Sequence, residues 1–222
     1  MKFNVSLMCM DFLDIKNQLE VLNKRADYLH IDIMDGHYCK NLTLSPDLVK
    51  AFSKVARIPM DCHLMTTEPN DWIELLVHNG AQIIAPHAEV INAYAFRTLN
   101  HIKSLGAKAG IVLNPATGLE AIQHYIERLD MVTVMTVDVG FAGQPFIPEM
   151  LKKIEALAEI KAKNGYSFLI QIDGGCNQRT FKQLYNAGAE ILVVGSSGLF
   201  SLDKDLNAAY DKMLEMYQQA IA

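Results

Sequence analysis

Residues 28–34 read Tyr28-Leu29-His30-Ile31-Asp32-Ile33-Met34, a short apolar run carrying an imidazole and a carboxylate two positions apart. Successive side chains of a strand point to opposite faces, so His30 and Asp32 share a face. The run from Ile58 to Met65 repeats the arrangement with Asp61 and His63, and the run from Phe168 ends at Asp173 before Gly174-Gly175. Two imidazoles and at least two carboxylates from separate strands can therefore converge on one ion. Asp32 and Asp173, from distant strands, could face each other across whatever that ion holds.

Working outward, further runs rich in β-branched residues lie at Val5 to Met8, Gln82 to His87, Lys108 to Leu113, Met131 to Val137 and Ile191 to Gly195. Amphipathic stretches separate them, among them Phe12 to Lys24, Asp71 to Asn79, Ala93 to Leu105, Glu149 to Lys163 and Gln178 to Ala187. Eight strand-like runs alternating with helix-like runs, at about 25 to 30 residues per unit, suit a closed parallel barrel or a doubly wound sheet. An open sheet concentrates its chemistry at one switch point, whereas a barrel collects it from the ends of many strands. Here Ser6, His30, Asp32, His63, His87, Asn114, Asp138, Asp173 and Gly195 to Ser197 follow or end nearly every run. The expectation is a single (β/α)8 barrel domain over residues 1–222 with all these ends on one face.

The composition excludes several classes. The formal charge is −5 and no Lys/Arg run occurs, which argues against nucleic acid or an anionic membrane as partner. No apolar run approaches the roughly 20 residues that cross a bilayer. Met1 to Val5 starts like a signal peptide, but Asp11 and Asp14 break any apolar continuation, so a cytoplasmic location is expected. Cys9, Cys39, Cys62 and Cys176 form no CxxC pair and read as reduced thiols. Cys62 has the opposite parity to Asp61 and His63 and should point away from them.

Glycines follow the last three runs, in Gly140-Phe141-Ala142-Gly143, Gly174-Gly175 and Gly195-Ser196-Ser197. Barrel enzymes commonly hold a phosphate on backbone N–H groups in the loops after strands seven and eight, with a helix N-terminus nearby. None of these segments matches a nucleotide-binding loop. A small phosphorylated molecule is the expected ligand, with ordinary tight turns as the plain alternative.

In order along the chain, His30 to Gly36, Asp61 to Met65, Asn114 to Thr117, Gly140 to Gln144, Asp173 to Gly175 and Gly195-Ser196 resemble the ribulose-phosphate 3-epimerase family, over essentially its whole length. Ser6 to Asp11, Asn41 to Pro46, Gly140 to Phe146, Cys176-Asn177 and Ser197 to Phe200 look more like the D-allulose-6-phosphate branch than the pentose-pathway one. The resemblance implies one divalent metal ion (zinc, iron, manganese or cobalt) on His30, Asp32, His63 and Asp173. It implies acid/base roles for Asp32 and Asp173. The substrate contacts it implies are Ser6, His63, Asp173 and the glycine loops: Gly140, Phe141, Ala142, Gly143, Gly174, Gly175, Gly195, Ser196 and Ser197. Three departures stand out: Pro86 in the fourth run, Tyr38-Cys39-Lys40 in place of Phe-Val-Pro, and Val139 where a proline commonly precedes the loop.

A 3-epimerase removes a weakly acidic proton beside a ketone and returns one to the opposite face, so it needs two acid/base groups around one carbon and something to stabilise the enediolate. The substrate implied is a small phosphorylated ketose. D-allulose 6-phosphate/D-fructose 6-phosphate is the expected pair, and D-ribulose 5-phosphate the alternative. A metal-free phosphosugar decarboxylase or a silent phosphate-binding barrel would keep the glycine loops without needing two His beside two Asp. Lone histidines default to structural roles, so His37, His78, His87, His101 and His124 carry no assignment. Met8, Met34, Met65 and Met135 default to filling core space, with the resemblance also offering them as an apolar lining for the metal pocket. Asp35 and Asp138 are expected to brace loops rather than act as bases. A homo-oligomer stays open.

Overall fold

The computed structural model describes residues 1–222. Its strands are β1 (Lys2–Ser6), β2 (Tyr28–Met34), β3 (Met60–Met65), β4 (Ile83–Pro86), β5 (Lys108–Leu113), β6 (Met131–Met135), β7 (Leu169–Asp173) and β8 (Ile191–Val194). Each pairs in parallel with the next and β8 pairs with β1, closing the barrel that the alternating runs imply. Around it lie α1 (Ile15–Arg25), α2 (Pro46–Phe52), α3 (Asn70–His78), α4 (Ala88–Ile91), α5 (Ala95–Ser104), α6 (Met150–Asn164), α7 (Phe181–Asn186) and α8 (Leu206–Ile221). No helix is long and apolar enough to cross a membrane.

Several boundaries differ from the sequence reading for local reasons. Pro59 has no N–H to give a ladder, so β3 begins at Met60 rather than Ile58. The first run moves towards the N-terminus: Lys2 to Val5 pair with Ile191 to Val194, and Leu7–Cys9 curl into a 3₁₀ turn. The helix expected from Phe12 starts at Ile15, because Asp11 first accepts the Leu13 and Asp14 N–H groups in a turn. The helix expected from Gln178 starts at Phe181, after Thr180 Oγ1 has tied Asn177 N and Gly175 O together. Between β5 and β6 the crossover carries only two 3₁₀ turns, Leu119–Ala121 and Ile126–Arg128. β4 pairs with β5 only through Ile83 and Ile84, with an isolated bridge at His87–Val112; Pro86, one of the departures, lies in the gap.

Alternation sorts the strand side chains into two cores. Leu29, Ile31, Ile33, Cys62, Leu64, Ile84, Ile111, Val132, Ile170, Ile172, Leu192 and Val194 face outward and merge with the helices in one cluster of 51 buried residues. Cys62 therefore points away from Asp61 and His63, as its parity required, and all four cysteines are free. Inside the barrel, Tyr28, Ile83, Met131 and Ile191 form an apolar floor. Above it the register sets Asn4, His30, Asp61, Thr133 and Gln171, then Ser6, Asp32, His63 and Asp173 towards the C-terminal mouth. Hydrophobic burial outside fixes the barrel, and its interior is free to be polar.

Candidate active site and metal centre

The lower polar layer has its own logic. Asp61, wholly buried, accepts hydrogen bonds on Oδ2 from Asn4 Nδ2 (2.8 Å) and Gln171 Nε2 (2.8 Å), and lies 3.0 Å from His30 Nδ1. Gln171 Oε1 in turn accepts from Asn4 Nδ2 at 2.9 Å, and Gln171 Nε2 reaches Thr133 Oγ1 at 3.1 Å. A carboxylate beside Nδ1 holds the imidazole proton there, which leaves the Nε2 lone pair aimed at the mouth. The sequence reading put Asp61 on the right face without finding this task. Asn4, Asp61 and Gln171 each stand two residues before a residue of the upper layer, and that parity was the available signal.

In the upper layer His30 Nε2 lies 3.4 Å from Asp32 Oδ1 and 3.5 Å from Asp173 Oδ2, while His63 Nδ1 lies 3.4 Å from each of the same two oxygens. The four donor atoms all fall within 4.8 Å of one another. Both nitrogens are buried with no hydrogen-bond partner. Bonds of about 2.0–2.2 Å to one ion put adjacent donors roughly 3 to 3.5 Å apart, and each imidazole nitrogen stands at such a separation from each carboxylate oxygen, so the cage fits a first-row divalent ion. Two orphaned imidazole lone pairs beside two carboxylates are what such an ion satisfies. No cysteine joins the cluster.

Without an ion the cage holds protons instead. Burial opposes a charged His30, but the carboxylates of Asp32, Asp173 and Asp61 outweigh it and hold its pKa well above the usual imidazole value. His63 is raised in the same way by Asp173 and Asp32 against its burial. Burial would raise both carboxyl groups, yet the two imidazoles prevail: Asp32 lies far below the usual carboxylate range and Asp173 at about 2. Both are ionised at neutral pH.

His87, which the sequence left unassigned, sits against this cage. Its Nε2 is 2.8 Å from His63 Nε2, and its Nδ1 is 3.2 Å from Glu89 Oε2. Burial pushes His87 down to about 4, so it is a neutral imidazole at neutral pH. Tyr38, from the departing Tyr38-Cys39-Lys40 segment, lays its ring over His87 at 4.8 Å and accepts from Asn114 Nδ2 at 2.6 Å, a bond phenylalanine lacks. Asp35 braces loops as expected, accepting from His37 N, Tyr38 N, Thr67 N and Thr67 Oγ1.

A cavity of about 610 Å³, open to solvent, sits on the cage. Its walls include Ser6, Asp32, His63, Asp173, Gly140, Phe141, Ala142, Gly143, Gly174, Gly175, Gly195, Ser196 and Ser197, so the residues singled out in the sequence come together here, His30 lying just beneath. Met8, Met34, Met65 and Met135 line it too, giving the apolar collar that their default core role left out. Asp32 Oδ2 accepts from Ser6 Oγ at 3.1 Å. No Lys or Arg reaches the cavity, and the N–H groups of Gly175 and Ser197 donate to nothing in the chain. The segment after β8 is a single π turn, Ser196–Phe200, rather than a regular helix N-terminus.

The glycines have packing reasons as well. Gly175 has φ +63, and a Cβ there would sit 3.2 Å from Phe146 Cβ; at Gly195 it would meet Cys9 Sγ at 2.9 Å. Valine would strain the left-handed backbone at Gly175 and press on the Cys9 side chain at Gly195, quite apart from any anion, so Ser196 is the cleaner probe.

Residues 2–200 match the ribulose-phosphate 3 epimerase family. The ribulose-phosphate 3-epimerase of Bacillus subtilis (strain 168) is 41% identical over 194 residues, covering 86% of this chain and 89% of that protein. That of Aquifex aeolicus (strain VF5) is 38% identical over 218 residues, covering 98% and 97%. Among solved structures, 3-hexulose-6-phosphate synthase from Salmonella typhimurium superposes with a TM-score of 0.69 at 15% identity over 99% of this chain and 100% of that one, a likeness of fold alone. KGPDC from Streptococcus mutans gives 0.69 at 10% identity over 100% and 99%.

Proposed function

The chain belongs to the ribulose-phosphate 3-epimerase family, a family of divalent-metal-dependent carbohydrate-phosphate isomerases, and from that premise we propose a two-aspartate mechanism on the cage described above. The observation that carries it is the pairing of Asp32 and Asp173 on the same two imidazoles, each with one oxygen in the cage and the other left over. A bound divalent ion supplies Lewis-acid stabilisation of the enediolate, worth several kcal/mol. His30, His63 and one oxygen each of Asp32 and Asp173 would hold that ion, and Asp61 keeps His30 in the tautomer this needs. Asp32 takes or gives the carbon-3 proton at Oδ2, where Ser6 steers it, and Asp173 does so at Oδ1 from the opposite face. Whichever carboxylate receives the proton serves as the acid for the reverse reaction. The methionine collar gives the reacting carbon an apolar surround.

The phosphate is held by the N–H groups of Gly175 and Ser197 and by the Ser196 hydroxyl. Ser196→Ala is expected to lower kcat/KM for the phosphorylated sugar by about 0.5 to 3 kcal/mol, the range for one hydrogen bond including those to charged groups. Metal content should not change. Equal turnover of phosphorylated and unphosphorylated sugar by the wild type would reduce the glycine loops to turns.

For substrate we propose the D-allulose 6-phosphate/D-fructose 6-phosphate pair, supported by Ser6 to Asp11, Asn41 to Pro46 and Ser197 to Phe200. The names of the relatives favour D-ribulose 5-phosphate as the second reading. One extra hydroxymethylene changes transition-state binding by only a few kcal/mol, so the comparison is kinetic. A higher kcat/KM for allulose 6-phosphate than for ribulose 5-phosphate is expected, and the reverse order would assign the pentulose.

A further inference from the structure

His63 presents Nδ1 to the cage, at 3.4 Å from Asp32 Oδ1 and 3.4 Å from Asp173 Oδ2. A nitrogen that holds an ion carries no proton, so the proton of a neutral His63 is on Nε2. The partner of that nitrogen is His87 Nε2 at 2.8 Å, which must then accept and leaves the His87 proton on Nδ1. Nδ1 has its own acceptor, Glu89 Oε2, at 3.2 Å. The other oxygen of that carboxylate, Oε1, is fixed by Asn114 N at 2.9 Å and by the Thr117 hydroxyl. His87 is wholly buried, and the Tyr38 ring covers it. The donor and acceptor sense of every link is therefore determined from either end of the chain.

We propose that His87 and Glu89 are positioning residues for the metal centre: the hydrogen-bonded series Glu89, His87, His63 fixes the tautomer and ring orientation of His63 and strengthens its Nδ1 as a ligand. The two ligand imidazoles are thereby served differently. His30 is oriented by a carboxylate in direct contact, Asp61, whereas His63 reaches its carboxylate through a second imidazole. The reason is geometric: the β2–β3 register sets His30 beside Asp61, whereas the β3–β4 register sets His63 beside Ala85, and alanine offers no acceptor. His87, two residues further along β4's path, supplies it. Partners of this kind typically influence metal affinity by about 10- to 100-fold.

The inference rests on the proposed metal site, and the test separates the two. Zinc affinity is measured by competition with a chromophoric chelator for the wild type, His87→Leu, His87→Gln and Glu89→Gln, alongside His30→Ala, which removes a ligand. His87→Leu removes the acceptor and should weaken zinc about 10- to 100-fold. His87→Gln keeps an acceptor towards His63 and a donor towards Glu89, and should recover most of the loss. Glu89→Gln, at a side chain that keeps 24% exposure and so tolerates exchange, should weaken zinc by a smaller factor. Long-range nitrogen-15 spectra of the zinc-loaded wild type should show the proton of His63 on Nε2 and that of His87 on Nδ1. Wild-type affinity in both His87→Leu and Glu89→Gln, or a His87 proton on Nε2, would overturn the positioning role. If His87→Leu fails to fold, Glu89→Gln and the tautomers decide alone. Unchanged zinc affinity in His30→Ala would overturn the metal site itself, and the inference with it.

Discussion

Asp173→Asn and Asp32→Asn are each expected to abolish epimerisation while leaving the barrel folded. Asparagine keeps the shape of the side chain and an oxygen for the cage, but it cannot take up a proton at the reacting carbon. General-base catalysis by one carboxylate is worth about 10²- to 10⁴-fold, and here losing either group stops both directions, because the acid of one direction is the base of the other. Neither residue belongs to the outward-facing core cluster, so thermal unfolding should stay cooperative. The measurement is turnover alongside metal content and melting temperature. Near-wild-type turnover in one variant, with undiminished metal, would reduce the mechanism to a single base.

Chelation of the wild type is expected to cost on the order of 10³-fold in kcat, since several kcal/mol of enediolate stabilisation corresponds to about three decades, and add-back should restore it. The same treatment should change how stability depends on pH. In the metal-free protein His30 and His63 titrate above their unfolded values, so their contribution is fully present below about pH 6.5 and is lost as pH rises through the raised folded values. Asp32 and Asp173 titrate below theirs, so their contribution is lost as pH falls through the depressed values. The metal needs both imidazoles deprotonated, and its binding releases protons near neutrality. The melting-temperature gap between loaded and metal-free protein should therefore widen as pH rises through neutrality. A constant gap would mean that the ion does not displace those protons.

The parts of the site that were legible in the sequence are those fixed by the two-residue period of a strand. His30 with Asp32, Asp61 with His63, and Cys62 turned outward all follow from parity, and the outward apolar residues leave one arrangement that buries them. What depended on neighbouring strands was hidden. Asp61 serves His30 because the β2–β3 register sets them side by side, and His87 serves His63 across strands from just beyond β4. Residue types alone do not reveal such pairings. Tyr38 is among the departures from the family pattern, and nothing in the sequence indicates that its hydroxyl ties its loop to Asn114. Helices α2 and α8 were not singled out, although Ser45 before Pro46 and Asp205 before Leu206 are cap signals, and both side chains accept the expected N–H.

In the two-aspartate mechanism a proton leaves carbon-3 to one aspartate and another arrives from the second. The decisive measurement is the reaction run in deuterated water and stopped early. The carboxyl group that delivers the proton has exchanged with solvent beforehand, so the epimer formed should carry deuterium at carbon-3 and nowhere else, while remaining substrate is still unlabelled. Label at carbon-1 would indicate an aldose–ketose isomerase. Net epimerisation with no label at all would contradict transfer between two solvent-exchanged carboxylates.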